Sequence, residues 1–410
     1  MALTTAATSA PVDTRLYIIA VLSLTAVQML STIAFNIGAV LAPVAAPDLG
    51  VAADDVAYYV SAVYLVSIYA AMAGGPMAVR LGPVRLTQCG LTISAIACLS
   101  LASGHVVLAA LSAIILGLGG GPLTAASSQI LARVTPQRLS NLTFSIKQSG
   151  VPLGYALAGA LIPISVELHG WQAVAAAIAV ICLMTALALQ PLRALYDRDG
   201  VTTGRLLPTF QQIVDPLKRA WADPVLRRLC LAAMFFSAMQ ATIVNFTILY
   251  GVNGLLLDYV AAGLLLSVAT AAGMVGRVFW GALADATRRP LAMLALLGAI
   301  MTLGGFAMAA AQLGWPSWVL HGVAIVLGGS AIGWNGVFIS ECARRAPPGR
   351  AGEFVGATSF FVFLGPVLWP VMFRAILYAT QSYPAGFAIM ATATGVSAVA
   401  ITGLLRRGER

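Results

Sequence analysis

Long apolar runs separated by short polar turns make up most of the chain. Each run is about 20 residues long, the length at which an α-helix crosses the hydrocarbon core of a bilayer. The runs lie at roughly 17–42, 56–78, 87–103, 107–132, 141–166, 171–192, 229–251, 259–281, 291–312, 316–342, 353–378 and 384–405. The pattern therefore predicts an all-α membrane protein with twelve transmembrane helices.

A polar, charged stretch from Arg193 to Arg228 separates the first six runs from the last six. It alternates apolar and basic residues and is interrupted by prolines, which suits short amphipathic pieces lying on an anionic membrane surface. We therefore predict an N-terminal six-helix bundle at 1–192, a cytoplasmic linker at 193–228 and a C-terminal six-helix bundle at 229–410.

The composition excludes a water-soluble protein, because 60% of the residues are hydrophobic and 9% are charged, against about a quarter charged in soluble domains. The five cysteines lie within or beside apolar runs and show no CxxC spacing, so no disulfide and no metal site are expected. We see no nucleotide-binding motif and no nucleophile–base pair. The sequence therefore predicts neither a cofactor nor an enzymatic activity.

Among the loops, positive charge is confined to alternate ones. The cytoplasmic loops, if the N-terminus is cytoplasmic, would hold Arg80, Arg85, Arg133, Arg138, Arg193, Arg198, Arg205, Lys218, Arg219, Arg227, Arg228, Arg288, Arg289, Arg344, Arg345, Arg350, Arg406, Arg407 and Arg410. The charged residues of the opposite loops are all acidic: Asp48, Asp54, Asp55, Glu167 and Asp258. This asymmetry predicts a multi-pass protein of the cell membrane with both termini cytoplasmic. It also accounts for the net charge of +9, so no nucleic-acid partner is expected.

The two halves of the chain repeat each other at matching places. The stretch "GGPMAVRLGPVRL" follows the second run, and "GALADATRRPL" follows the eighth. The fifth run contains "GVPLG" at 150–154, and the eleventh contains "GPVLWP" at 365–370. Such repeats predict two pseudo-symmetric bundles and, in membrane proteins, are typical of transporters that bind substrate near the midplane between the halves.

At these residues the chain resembles the major facilitator superfamily, whose signature after the second span is roughly G-x-L-A-D-R-x-G-R-R/K. The first half has Val79 in place of the acid, whereas the second half keeps it as Asp285. The resemblance implies a monomeric secondary transporter that works by alternating access, with a charge lock that is weakened in the first half. It assigns a conformational role to Gly75, Arg80, Gly82, Arg85, Gly281, Asp285, Arg288 and Arg289.

Glycine and proline interrupt the fifth and eleventh runs. The stretch 150–154 approximates the family's fifth-span motif, G-x-x-x-G-P-x-x-G. Proline removes a helical hydrogen bond, and neighbouring helices can compensate for that loss. We therefore predict bends in these two helices at Gly150, Pro152, Gly154, Gly365, Pro366 and Pro370.

Lys147 lies inside the fifth run, roughly 9–14 Å from its start at 1.5 Å per residue. A charge at the bilayer centre costs at least a few kcal/mol, so the side chain either snorkels to the surface or faces a compensating ligand. We predict that it faces a central cavity. Arg374, toward the outer end of the eleventh run, is the second deep cation and has the same two alternatives. Arg277 is expected near the cytoplasmic end of its helix.

Neutral polar side chains are spread over several runs. The set comprises Gln28, Asn36, Tyr64, Gln129, Gln148, Ser149, Gln240, Asn245, Trp334 and Asn335. Each could make an interhelical hydrogen bond instead. The family resemblance implies that the first, fourth, seventh and tenth spans line the cavity, which favours Gln28, Asn36, Gln240, Asn245 and Asn335. We predict that these residues and Gln129 complete a substrate site with Lys147 and Arg374.

No Asp or Glu lies in the middle of a run, whereas two cations do. Guanidinium and ammonium groups pair naturally with carboxylates. We therefore predict a secondary active transporter of a small organic anion, a carboxylate, in the lipid bilayer, coupled to protons or to a counter-anion. The alternatives are an efflux transporter of amphipathic drugs and a non-transporting membrane sensor with a transporter-like fold.

Overall fold

Long apolar helices form nearly all of the computed structural model, which describes residues 14–136, 139–197, 210–345 and 351–408. Some of the basic residues assigned to the loops lie outside these ranges, namely Arg138, Arg198, Arg205, Arg350 and Arg410. The described residues contain no β-strand. The helices, in chain order, are α1 (Thr14–Leu49), α2 (Val56–Leu81), α3 (Pro83–Ala102), α4 (Val106–Gly120), α5 (Leu123–Val134), α6 (Ser140–His169), α7 (Trp171–Ala188), α8 (Gln190–Tyr196), α9 (Phe210–Ala222), α10 (Pro224–Asn253), α11 (Tyr259–Thr287), α12 (Pro290–Ala309), α13 (Ser317–Ala331), α14 (Asn335–Arg345), α15 (Ala351–Thr380) and α16 (Tyr383–Gly408).

Twelve segments of the described chain are long and apolar enough to cross a membrane, which confirms the predicted fold class. The fourth segment consists of α4 and α5, and the tenth consists of α13 and α14. Pro122 stands at the first of these breaks, where it cannot donate a helical hydrogen bond. Since both breaks fall in the fourth span of a half, they follow the repeat seen in the sequence.

Aspartate side chains fix the start of several helices. Asp223 accepts hydrogen bonds from Val225 N and Leu226 N at the start of α10, and Asp258 accepts one from Ala261 N at the start of α11. These carboxylates satisfy backbone donors that have no partner within the helix, and they lie at its positive end.

The buried apolar residues fall into two large clusters. One cluster is built mostly from α1–α7 and the other mostly from α10–α16. The halves meet where α1 packs on α10, α2 on α15, and α6 on α11. The clusters fit the expected pair of bundles, although the boundaries at 192 and 228 stay a prediction. In the linker, Trp221 of α9 stacks on Phe361 of α15, with ring centroids 5.4 Å apart.

We name the two ends of the molecule by their charges. The basic side is the end with Arg80, Arg85 and Arg289, and the acidic side is the end with Asp54 and Asp55. The sequence predicts that the basic side is cytoplasmic, and this orientation stays a prediction.

Candidate functional site

Lys147 lies in the interior of the protein, with a relative exposure of 1%. It shares a face of α6 with Gly150 and Gly154, and an added Cβ at either glycine would press on α1 at Gln28 or Thr32. Glycine at these positions therefore lets α1 and α6 approach closely. A side chain that snorkelled along the lipid-facing surface would be exposed, so this alternative for Lys147 is wrong.

Two cations from the two halves meet at Gln148. Lys147 Nζ donates to Gln148 Oε1 at 3.2 Å, and Arg277 Nη1 of α11 donates to the Gln148 carbonyl oxygen at 3.3 Å. The expected place of Arg277 near the end of its helix is wrong, because α11 continues to Thr287. Arg277 is thus about ten residues, or ~15 Å, from that end.

The break in the tenth span gives Arg277 its second partner. Arg277 Nη2 donates to Ile332 O at 3.4 Å, just before α14 begins. Arg277 Nε is buried and has no hydrogen-bond partner in the part of the chain that the structure describes. A buried, unpaired donor is costly, and the guanidinium therefore keeps donor capacity for a ligand.

No carboxylate compensates these two cations among the described residues. Neither Lys147 nor Arg277 has an acidic group within 4.0 Å. Glu341 is buried at the end of the tenth span, but it is bound by Arg344 at 2.7 Å and by Arg345 at 2.5 Å. Because buried charge normally requires a counter-charge, the pair at Gln148 is chemically incomplete and suited to an anion.

Two tyrosine hydroxyls and two phenylalanine rings form a connected group that includes a residue of α6, the helix of Gln148. Tyr155 lies seven residues after Gln148 on α6, which places the two on the same face of that helix. Its hydroxyl oxygen is 3.5 Å from that of Tyr64. The Tyr64 ring packs edge-on against Phe35 and is 6.5 Å from the ring of Phe363, centroid to centroid. The group therefore combines two hydroxyls with several apolar rings.

The predicted neutral side chains are brought together only in part. Gln28 lies on the α1 face that touches Gly150, one helical turn from Lys147. In the second half, Asn335 Nδ2 donates to Gln240 Oε1 at 3.2 Å. Asn36 is buried, and no described residue forms a hydrogen bond with its Nδ2. These residues stay predicted ligands.

Asn245 and Gln129 have local partners. Asn245 Nδ2 donates to Ala241 O one turn earlier on α10, at 2.8 Å. Gln129 Nε2 donates to Gly75 O at 3.0 Å and ties α5 to α2. Neither contact involves Lys147 or Arg277, and the roles of both residues in the site stay predictions.

Arg374 is not placed with Lys147. Its Nε donates to Asp55 Oδ1 at 3.1 Å, across the two halves at the acidic side. Tyr383 Oη donates to Asp54 Oδ1 at 2.5 Å in the same region. Because its charge is already paired, Arg374 is better suited to holding the halves together than to binding the substrate.

The loop motifs lie at the basic side. Gly82 joins α2 to α3 with φ +91°, and Asp197 accepts hydrogen bonds from Val84 N and Arg85 N at 2.9 and 3.0 Å. Asp285, in contrast, is exposed and makes no ion pair with another described residue. The remaining members of the conformational motif and the bends at the prolines stay predictions.

This arrangement of two bundles around a buried polar centre defines a membrane transporter fold. The family profile of the Major Facilitator Superfamily matches residues 24–370, and the chain belongs to that superfamily. A comparison with curated protein sequences gave no match.

Solved transporter structures share the fold. The crystal structure of peptide transporter POT in complex with sulfate is 16% identical, with a TM-score of 0.75 over 95% of this chain and 94% of that chain. The D-xylose-proton symporter is 16% identical, with a TM-score of 0.72 over 94% of this chain and 97% of that one. A mutant of the nucleoside transporter NupG is 14% identical, with a TM-score of 0.72 over 94% of this chain and 99% of that one. At these identities the likeness concerns the fold alone.

Proposed function

We propose that the protein is a secondary active transporter of a small organic anion, a carboxylate, that works by alternating access. The observation that carries the proposal is the meeting of Lys147 and Arg277 at Gln148 without a carboxylate partner among the described residues. One cation belongs to each half, so a bound anion contacts both halves at once. Its binding can therefore favour one arrangement of the halves over another, since a ligand shifts an equilibrium by its differential affinity.

The surrounding groups suit a carboxylate better than a bare inorganic anion. The planar guanidinium of Arg277 can bind a carboxylate through two parallel hydrogen bonds, while Lys147 supplies a point charge. We infer that the packed rings of Tyr64, Phe35 and Phe363 form the apolar wall for the organic part, since Tyr64 contacts Tyr155 on the helix of Gln148. Since the described residues offer no carboxylate beside the two cations, we infer that a coupling proton travels with the substrate or that a second anion is exchanged.

The first experiment measures thermal stabilisation of the purified protein by carboxylates, sulfate, phosphate and organic cations. Ligand binding to the native state raises its apparent stability by mass action. A carboxylate is expected to stabilise the wild type. A charge-assisted hydrogen bond contributes roughly 1.5–3 kcal/mol, so Lys147→Gln and Arg277→Gln should each weaken binding by about 10- to 150-fold.

Arg227→Gln is the matched control, because this arginine is exposed in the first turn of α10 and makes no hydrogen bond or ion pair with Lys147, Gln148 or Arg277 among the described residues. It should retain the stabilisation by the carboxylate. If organic cations or neutral amphipaths stabilise wild type and both variants equally, the anion proposal fails and drug efflux takes its place. If a carboxylate does stabilise the wild type, its flux into liposomes separates a transporter from a non-transporting sensor.

A further inference from the structure

A second cationic group lies on the outer surface of the first half, away from Gln148. A cleft of about 520 Å³ separates α3 from α8 at the basic side. Its walls include Arg85, Gln88, Cys89 and Thr92 of α3 and Gln190 and Arg193 of α8. The cleft is therefore lined by two guanidinium groups and two amides.

Both arginines are exposed, and neither side chain has an acidic partner among the described residues. Asp197 is close in the fold, but its two oxygens accept hydrogen bonds from Val84 N and Arg85 N. Gln88 Nε2 donates to Ala186 O and to Gln190 Oε1, both at 2.9 Å, and so joins α3 to α8 beneath the cleft. Among the described residues the Gln190 amide nitrogen makes no hydrogen bond, which leaves its donors for a ligand.

The surface continues from the cleft as an apolar stripe. On α3, Arg85, Cys89, Ile96 and Leu99 follow one another at spacings of three, four or seven residues, which places them on one helical face. Ile96 and Leu99 are 49% and 46% exposed. The stripe extends over roughly 21 Å at 1.5 Å per residue, enough for one leaflet of a bilayer whose core is about 30 Å thick.

The neighbouring span adds to this stripe. Met184 and Leu187 of α7 are 61% and 67% exposed, and α7 packs along α3. Two cations above a continuous apolar surface match the outline of one phospholipid molecule, with its phosphate at the arginines and its acyl chains along α3 and α7. A free phosphate would make no use of the apolar stripe.

We propose that this cleft binds the headgroup of an anionic phospholipid, with Arg85 and Arg193 contacting its phosphate. Guanidinium groups form strong paired hydrogen bonds with phosphate oxygens. Basic pockets between membrane helices on the cytoplasmic side are suited to anionic headgroups. The net positive charge of the cleft favours a lipid with net negative charge over a zwitterionic one.

Cys89 provides a direct reporter, because it is exposed in the cleft whereas Cys98, Cys182, Cys230 and Cys342 are buried. The experiment measures the rate of maleimide labelling of Cys89 in the purified full chain. Phosphatidylglycerol, phosphatidylcholine with the same acyl chains and inorganic phosphate are titrated separately. Phosphatidylglycerol at about ten times its Kd should slow labelling about elevenfold, the factor 1 + [L]/Kd of a single site.

Phosphatidylcholine and inorganic phosphate should leave the labelling rate unchanged. The double variant Arg85→Gln/Arg193→Gln should lose the protection by phosphatidylglycerol. The matched variant Lys218→Gln/Arg227→Gln, which removes two exposed charges from the same side, should keep it. Elution as a single species in size-exclusion chromatography checks that each variant is folded.

Four results overturn the proposal, and three of them need only the wild type. They are no protection by phosphatidylglycerol, equal protection by inorganic phosphate, equal protection by phosphatidylcholine, and full protection of the Arg85→Gln/Arg193→Gln variant by phosphatidylglycerol. Because the cleft lies outside the site at Gln148, none of these results bears on the proposed transport of an anion.

Discussion

Gly328 allows α13 to lie directly against the backbone of α11. A Cβ added at this residue would overlap the carbonyl group of Ala269, so neither helix can yield without moving backbone atoms. Gly322, on the same helix, has no atom within 4 Å of the corresponding Cβ position. The two glycines therefore form a matched pair for the effect of one methyl group.

We predict that Gly328→Ala lowers the thermal stability of the purified protein. Overpacking typically costs about 1–3 kcal/mol, whereas Ala in place of an open helical Gly is favourable by up to ~1 kcal/mol. Gly322→Ala should therefore leave the melting temperature unchanged or raise it. A melting temperature for Gly328→Ala that equals or exceeds that of Gly322→Ala would contradict the close approach of α11 and α13.

Only part of the residue-level picture could be predicted from the sequence. The apolar surroundings of Lys147 identified it as a buried cation, because a charge inside a long apolar run stands out. Arg277 was missed as a partner because the apolar run ends before Asp285, although α11 continues to Thr287. The pairing of Arg374 with Asp55 joins residues far apart in the chain, and no local pattern encodes such a contact.

At the scale of elements, α3 depends on a carboxylate from another helix. Its own N-cap is Gly82, which has no side chain to accept a hydrogen bond. Asp197, just after α8, supplies the acceptor to Val84 N and Arg85 N instead. Gly82 itself cannot become Ala easily, because its φ of +91° is rare for other residues and an added Cβ would overlap the Asp197 carboxylate.

We predict that Asp197→Ala destabilises the protein by about 0.5–2 kcal/mol, the usual effect of losing an N-cap. Asp285→Ala is the matched control, since this carboxylate is exposed and makes no ion pair with a described residue. Thermal unfolding of both variants in the same detergent tests the difference. Equal melting temperatures would show that the contact at α3 contributes no stability.

The twelve spans could be predicted because hydrophobic length alone determines them. The first break carries a local signal, Pro122 after three glycines, whereas the break at 332–334 has none inside its apolar run. Packing accompanies both breaks: a Cβ added at Gly121 would press on Ala70 of α2, and Trp280 Nε1 of α11 donates to Gly329 O. Such contacts depend on the arrangement of helices, which a single sequence pattern does not specify.

At the scale of the whole molecule, the two halves are held together at the acidic side. Arg374 pairs with Asp55, Tyr383 with Asp54, and Tyr259 Oη donates to Val40 O at 2.8 Å. Ala42 is 5% exposed and packs in the cluster of the second half. This face is therefore closed, and alternating access would require these contacts to break.

We predict that Asp55→Asn and Arg374→Gln each increase the population that is open at the acidic side. The side chains of the pair are 36% and 18% exposed, and solvent screening limits such a pair to about 0.2–1 kcal/mol. Loss of the pair changes the equilibrium between the closed and open forms by at most this interaction energy. Since RT is about 0.59 kcal/mol, the open population should rise by no more than about fivefold. Labelling of Ala42→Cys by a maleimide, in a Cys89→Ser background, measures this opening.

The exchanged pair Asp55→Arg/Arg374→Asp should restore slow labelling, because it re-forms the attraction with the charges reversed. If the single variants label at the wild-type rate, or the exchanged pair labels as fast as they do, the Asp55–Arg374 contact does not hold the halves closed.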